Sequence, residues 1–199
     1  MNIHENNAGI DYHEIIDCIV SALDAKDRYT AGHSQRVSDM SLVVCDLLGL
    51  KKDNTQKIHI AAHLHDIGKI GIPDAILHKK GRLTNEDWEI IKKHPQIGAE
   101  ILSKSYHLNE LKEIVLNHHE RFDGKGYPHG LKAEKIPVGS RIIAICDSID
   151  AITSTRYYRK AHSFEFCYDE IEKNLGIIYD PMIGRYVLDH WERVIQIVA

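Results

Sequence analysis

No stretch of the chain approaches the ~20 consecutive apolar residues that a membrane span requires. The first residues, Met1 to Asn7, hold neither the basic start nor the apolar core of a secretory signal. A cytoplasmic location is expected. The four cysteines, Cys18, Cys45, Cys146 and Cys167, lie far apart and form no CxxC pair. That spacing argues against a disulfide framework and against cysteine ligation of a metal, and it leaves buried free thiols. Charge of one sign is also lacking: the formal net charge is -4, with Lys and Arg spread along the chain. Without a basic tail or stripe there is no case for binding polymeric nucleic acid, so an anionic substrate must be held by a local site. Strand-type alternation, internal repeats, low-complexity tracts and Pro/Gly/Ser linkers are absent too, which points to a single all-helical domain, residues 11–199, behind a polar N-terminal tail, residues 1–10.

What is present is a series of apolar residues at helical spacing. With 199 residues and 43% hydrophobic content the chain can bury a sizeable core. Tyr12, Ile15, Ile16, Ile19, Val20 and Leu23 mark a first amphipathic helix. Val37 to Leu48 repeats the pattern and Gly49 is placed to stop it, while Ile58 to Ile67 predicts a third helix ending at Gly68. Thr84 and Asp87 form a capping box for a helix through Trp88 and Ile91, which Pro95 should interrupt. Leu108 to Val115 leads into His118 and His119. An irregular stretch, 120–137, then carries Gly124, Gly126, Pro128, Gly130 and Pro137. Pro137 suits the first turn of a helix running through Ile142 and Ile152, and two further helices are expected around Phe164 to Leu175 and Ile183 to Val198.

Chemistry concentrates in His65-Asp66-Ile67-Gly68-Lys69 and in His118-His119-Glu120 with the loop after it. An adjacent His-Asp pair offers one neutral nitrogen and one carboxylate able to bridge two cations, a set suited to metal-assisted phosphoester hydrolysis. His33, His65, Asp66, His94, His118, His119 and Asp147 all fall on or at the ends of expected helices. Left in a core without metal, each would cost roughly 1 to 3 kcal/mol in unmet polar burial. Coordination removes that cost, and inward projection from several helices is how helical bundles build such centres. His4, His13, His59, His78, His107, His162 and His190 read as surface or packing residues, His63 and His129 as supports of the site or exposed groups, and Asp24, Asp27, Asp39 and Asp150 as helix-surface or capping groups.

Four segments in order, HDIGKIGIPD (His65 to Asp74), KKHPQIGAEIL (Lys92 to Leu102), HHERFDGKGYP (His118 to Pro128) and IPVGSRIIAICDSIDAITSTRYYRKA (Ile136 to Ala161), resemble the HD-GYP domain, a branch of the HD phosphohydrolase superfamily. The resemblance implies a helical bundle of the HD-domain type and a phosphodiesterase that hydrolyses cyclic di-GMP to pGpG by a metal-bridging hydroxide. It implies one metal on His33, His65, Asp66 and Asp147 and a second on His94, His118 and His119, bridged by Asp66. Iron or manganese is favoured, with zinc or nickel also accepted by such ligands. Lys69 matches the lysine that approaches the scissile phosphate, Arg156 and Arg159 match phosphate-binding positions, and Tyr127 either lines the guanine pocket or packs its loop. Asp66 and Lys69 are thus the expected catalytic residues. The chain departs from the pattern at Tyr29, where some members place a glutamate for a third metal, at Tyr157 and at His78-Lys79-Lys80-Gly81. Two metals, and pGpG as main product, are therefore expected. Other readings are hydrolysis of another nucleotide such as a mixed cyclic dinucleotide, and a binding module without turnover. A homodimer through the first and last helices is an open alternative to their packing internally.

Overall fold

A computed structural model describes residues 12–26, 32–155 and 160–198, so the N-terminal tail, Tyr29, Arg156, Tyr157 and Arg159 lie outside the described residues. The elements are α1 (Tyr12–Lys26), α2 (His33–Leu47), α3 (Lys52–His63), a 3-10 turn (Ile67–Gly71), α4 (Asp74–Leu77), α5 (Asn85–Ile91), α6 (His94–Leu102), a second 3-10 turn (Asn109–Leu111), α7 (Lys112–Leu116), a third (Ala133–Lys135), α8 (Val138–Thr153), α9 (Phe164–Lys173), α10 (Pro181–Asp189) and α11 (Trp191–Ile195). Among the described residues there is no strand, only one isolated bridge between Leu175 and Tyr179, and no helix long and apolar enough to cross a membrane.

One wall of the core is α8, whose Ile142, Ile143, Ile145, Cys146 and Ile149 are fully covered. Against it stand Val37, Met40 and Val44 of α2, which in turn packs on Ile58, Ala61 and Ala62 of α3. These positions recur at three and four residue steps, so each helix buries one stripe and the stripes meet. Burying an aliphatic side chain of this size stabilises the fold by ~1.5–3 kcal/mol. The sequence reading of a helical domain therefore holds, and Gly49 does end α2 with a φ of 64°. Thr84 does cap α5: its side chain accepts from Asp87 N–H, and the Asp87 side chain accepts from Thr84 N–H.

Three boundaries differ from expectation. The third helix stops at His63, not Ile67, because Leu64 N–H splits between Ile60 O and Ala61 O and the chain then tightens into the 3-10 turn. As expected, the helix through Trp88 and Ile91 stops short of Pro95, which sits in the first turn of a separate helix, α6, where its missing N–H costs nothing. The last expected helix is broken at His190 into α10 and α11. Pro137 lies at the N-cap of α8, one position before the first turn.

Candidate metal centre

Six of the expected ligands lie at helix ends or in the turns that follow them, and Asp147 alone sits mid-helix, on α8. Gly68 makes this closeness possible. A Cβ there would stand 1.8 Å from the carbonyl oxygen of His94, so only glycine lets the His65–Asp66 turn lie against the start of α6.

The imidazoles are oriented by their outer nitrogens. His65 Nδ1 donates to Ala62 O at 2.7 Å, His94 Nδ1 to Ile91 O at 2.8 Å and His118 Nδ1 to Val115 O at 2.6 Å. His33 Nδ1 instead donates to the Asp150 carboxylate at 2.6 Å. Each Nδ1 carrying the proton leaves Nε2 as the lone-pair nitrogen, and those nitrogens converge. His33 Nε2 is 3.3 Å from His65 Nε2, and His94 Nε2 is 3.4 Å from His118 Nε2. Two lone pairs facing each other at this separation repel unless a proton or a metal cation lies between them. Asp66 joins the two pairs: Oδ1 is 3.3 Å from His94 Nε2, and Oδ2 is 3.5 Å from His65 Nε2 and 3.8 Å from His33 Nε2. Asp147 Oδ1 lies 3.3 Å from His33 Nε2. Two groups, His33 with His65 and Asp66, and His94 with His118 and His119, each have ligand atoms close enough to share one metal ion. The donor set therefore fits divalent metals.

Electrostatics suit the same purpose. Burial and the neighbouring His119, His65 and His94 hold His118 well below the usual imidazole range, and burial with His94 lowers His119 to about 3. Burial alone would raise the Asp66 carboxyl, but Lys69 and the imidazoles of His65, His94 and His33 hold it well below the ordinary carboxylate range. Asp147 is likewise lowered against its burial, by His33, His65 and His119. His33 is raised: its burial is outweighed by the Asp150 hydrogen bond and by Asp147 and Asp66. A cation thus meets mostly unprotonated nitrogens and ionised carboxylates.

Lys69 places Nζ 2.6 Å from Asp66 Oδ2 with its side chain 17% exposed, at the edge of the centre. The Tyr127 ring stacks on His119 with centroids 4.9 Å apart. Its loop is fixed by Glu120, a buried carboxylate that accepts from His129 N–H at 2.7 Å and Leu131 N–H at 3.1 Å. Gly126 is required there because a Cβ would stand 2.3 Å from Arg121 N. Glu120 and Asp150 were missed as site-building residues. Asp150 reads as a surface or capping group in sequence but is 1% exposed beneath His33. His63 is buried and His129 exposed, which settles the choice of environment left open for both.

The HD domain family model matches residues 17–183. Similar curated proteins include the 3'3'-cGAMP-specific phosphodiesterase 2 of Vibrio cholerae, 37% identical over 94% of this chain and 36% of its own length, and the cyclic di-GMP phosphodiesterase of Thermotoga maritima, 42% identical over 85% of this chain and 47% of its own length. The chain thus spans less than half the length of either. Among solved structures, the cyclic GMP-AMP specific phosphodiesterase V-cGAP3 of V. cholerae superposes with a TM-score of 0.73 at 19% identity, covering 94% of this chain and 50% of that one. The HD domain of the L. monocytogenes phosphodiesterase PgpH in complex with cyclic-di-AMP gives 0.64 at 18% identity, covering 91% and 95%. At such identities these two likenesses speak for the fold.

Proposed function

The chain belongs to the HD domain family, and from that membership together with the centre's geometry we propose that residues 11–199 form a metal-dependent phosphodiesterase domain that opens cyclic di-GMP mainly to pGpG. The observation that carries the reading is the pair of facing Nε2 contacts, His33 with His65 and His94 with His118, joined by the two oxygens of Asp66. His33, His65, Asp66 and Asp147 are the ligands of one divalent ion and His94, His118 and His119 of a second, with iron or manganese favoured over zinc or nickel. Cations held there supply a water of lowered pKa and neutralise charge on the phosphodiester.

The chain's own residues do the rest. Asp66 keeps the two halves in register. Lys69, fixed by its ion pair with Asp66, presents an ammonium to a phosphoryl oxygen on the open side of the centre. Arg156 and Arg159 hold the substrate phosphates through planar guanidinium groups, and Tyr127, braced on His119, forms the wall on the base side.

A second reading has a specific observation behind it: the relative aligned over 94% of this chain is named as specific for 3'3'-cGAMP. The two substrates share their phosphodiester ring and differ in one base, so the same centre serves either. The test is product analysis of both dinucleotides with protein reconstituted with Fe(II) or Mn(II). Conversion of cyclic di-GMP to pGpG supports the first reading, and selective loss of 3'3'-cGAMP supports the second. No turnover of either by folded, metal-loaded protein refutes both.

A further inference from the structure

Three imidazoles of the centre give their Nδ1 proton to a neutral backbone carbonyl, whereas His33 gives its proton to a carboxylate. Asp150 is 1% exposed and takes that proton on Oδ2. Its other oxygen accepts Arg36 Nε–H, and Arg36 Nη2 reaches Oδ2 at 3.2 Å and Ser154 Oγ at 3.4 Å. A full negative charge behind an imidazole draws on the Nδ1 proton and makes Nε2 a stronger donor than a carbonyl does. The same half of the centre also holds Asp147, 3.3 Å from His33 Nε2. The opposite half, apart from the shared Asp66, consists of His94, His118 and His119.

From this asymmetry we infer that Asp150, braced by Arg36, is a positioning residue that makes the His33 side the tighter of two unequal cation sites, so that the chain loads stepwise and the His94–His118–His119 side fills last and empties first. The inference rests on the metal-binding part of the function proposed above and on no part of its substrate assignment. Asp150 also ties α8 to α2, so a purely structural role has to be separated from an electrostatic one. Asn separates them, because its amide oxygen still accepts from Nδ1 in the same shape but without the charge.

The experiment is a titration of the metal-free chain with Mn(II), counting bound equivalents from the spin resonance of the free ion, alongside the proton spectrum of the imidazole N–H groups. Wild-type protein should bind in two steps of unequal affinity. Asp150→Asn should weaken the tighter step by about 10- to 100-fold while leaving the weaker step nearly unchanged, and the far-downfield His33 Nδ1 proton should move upfield with the others in place. Arg36, with a side chain 31% exposed, offers a milder variant. Arg36→Gln leaves the Asp150 charge in place and should weaken the tighter step by less, which carries the test should Asp150→Asn not fold. Equal affinities in wild type, an unchanged tighter step in the variants, or equal weakening of both steps would overturn the inference alone. Wild-type protein that takes up no metal would overturn it together with the proposed metal centre.

Discussion

Gly68→Ala adds one methyl group and places it where the backbone of α6 already stands. The new carbon would lie 1.8 Å from His94 O, 2.6 Å from Gly98 N and 2.8 Å from His94 C. Ordinary non-bonded carbon contacts fall near ~3.5 Å, so the 3-10 turn and α6 must part by roughly 1.5 Å. No flexible side chain can absorb that movement, because the obstructing atoms are all backbone. Overpacking of this kind costs ~1–3 kcal/mol or more, and a value near the upper end corresponds to a fall in Tm of roughly 6–12 °C for a domain of this size. The loss of function should be larger. Asp66 is anchored on one side of the contact and His94 on the other, at 3.3 Å, while productive site geometry tolerates only about 0.5 Å. Gly81→Ala is the control, since a Cβ there meets nothing within 4 Å and should change stability by less than ~0.5 kcal/mol. Thermal unfolding followed by circular dichroism, with metal analysis of the same samples, makes the measurement. A Gly68→Ala protein with wild-type Tm and metal content would show that the close approach does not hold the centre together.

Asp66→Ala should leave the helices intact and abolish loading of two metals together with hydrolysis; full activity in that variant sinks the two-metal scheme. Lys69→Ala should keep its metals and lose turnover by on the order of 10²–10³, the usual effect of deleting one transition-state donor, so loss of metal instead would reassign Lys69 to the ligand shell. In the metal-free chain, His119 is lowered to about 3 by burial and His94, against ~6.5 when unfolded. Between those values the unfolded chain binds the proton and the folded chain does not, so stability should rise with pH up to about 6.5. His118, also lowered, acts in the same direction, whereas the raised His33 acts only above ~6.5, where its contribution is lost as pH rises. Urea unfolding across pH 4 to 8 checks this, and a metal-free protein more stable at pH 5 than at pH 7 would contradict it.

The helical stripes were legible because burial is periodic: Val37, Met40 and Val44, or Ile142, Ile145 and Ile149, announce their faces in sequence. The ligands were legible because His and Asp seldom gather at the ends of apolar helices without a reason. What stayed hidden depended on contacts between distant segments. The stop of α3 at His63 follows from the need to lay Gly68 against α6, which no local propensity records. Asp150 has the spacing of a capping or surface group, and only the arrival of His33 and Arg36 from α2 gives it a role. Glu120 is similar, since its carboxylate serves amides nine and eleven residues onward in the loop.

The three histidines held by backbone carbonyls share one local device. Each follows the end of a helix, α3, α5 or α7, and folds its ring back so that Nδ1 donates to the carbonyl three residues earlier. The last four carbonyls of any helix lack intrahelical partners. The side chain that satisfies one of them therefore has its other nitrogen aimed away from the helix, in a direction set by the helix itself. Three helix ends brought together by one core then point three Nε2 atoms into a common space. The negative ends of those short dipoles also face the place where positive charge is needed. Substituting His65, His94 or His118 consequently removes two things at once, a ligand and the partner of a terminal carbonyl. Such variants should lose stability even in the metal-free state, whereas Asp147, which spends no hydrogen bond on a helix end, should reveal its absence mainly when metal is added.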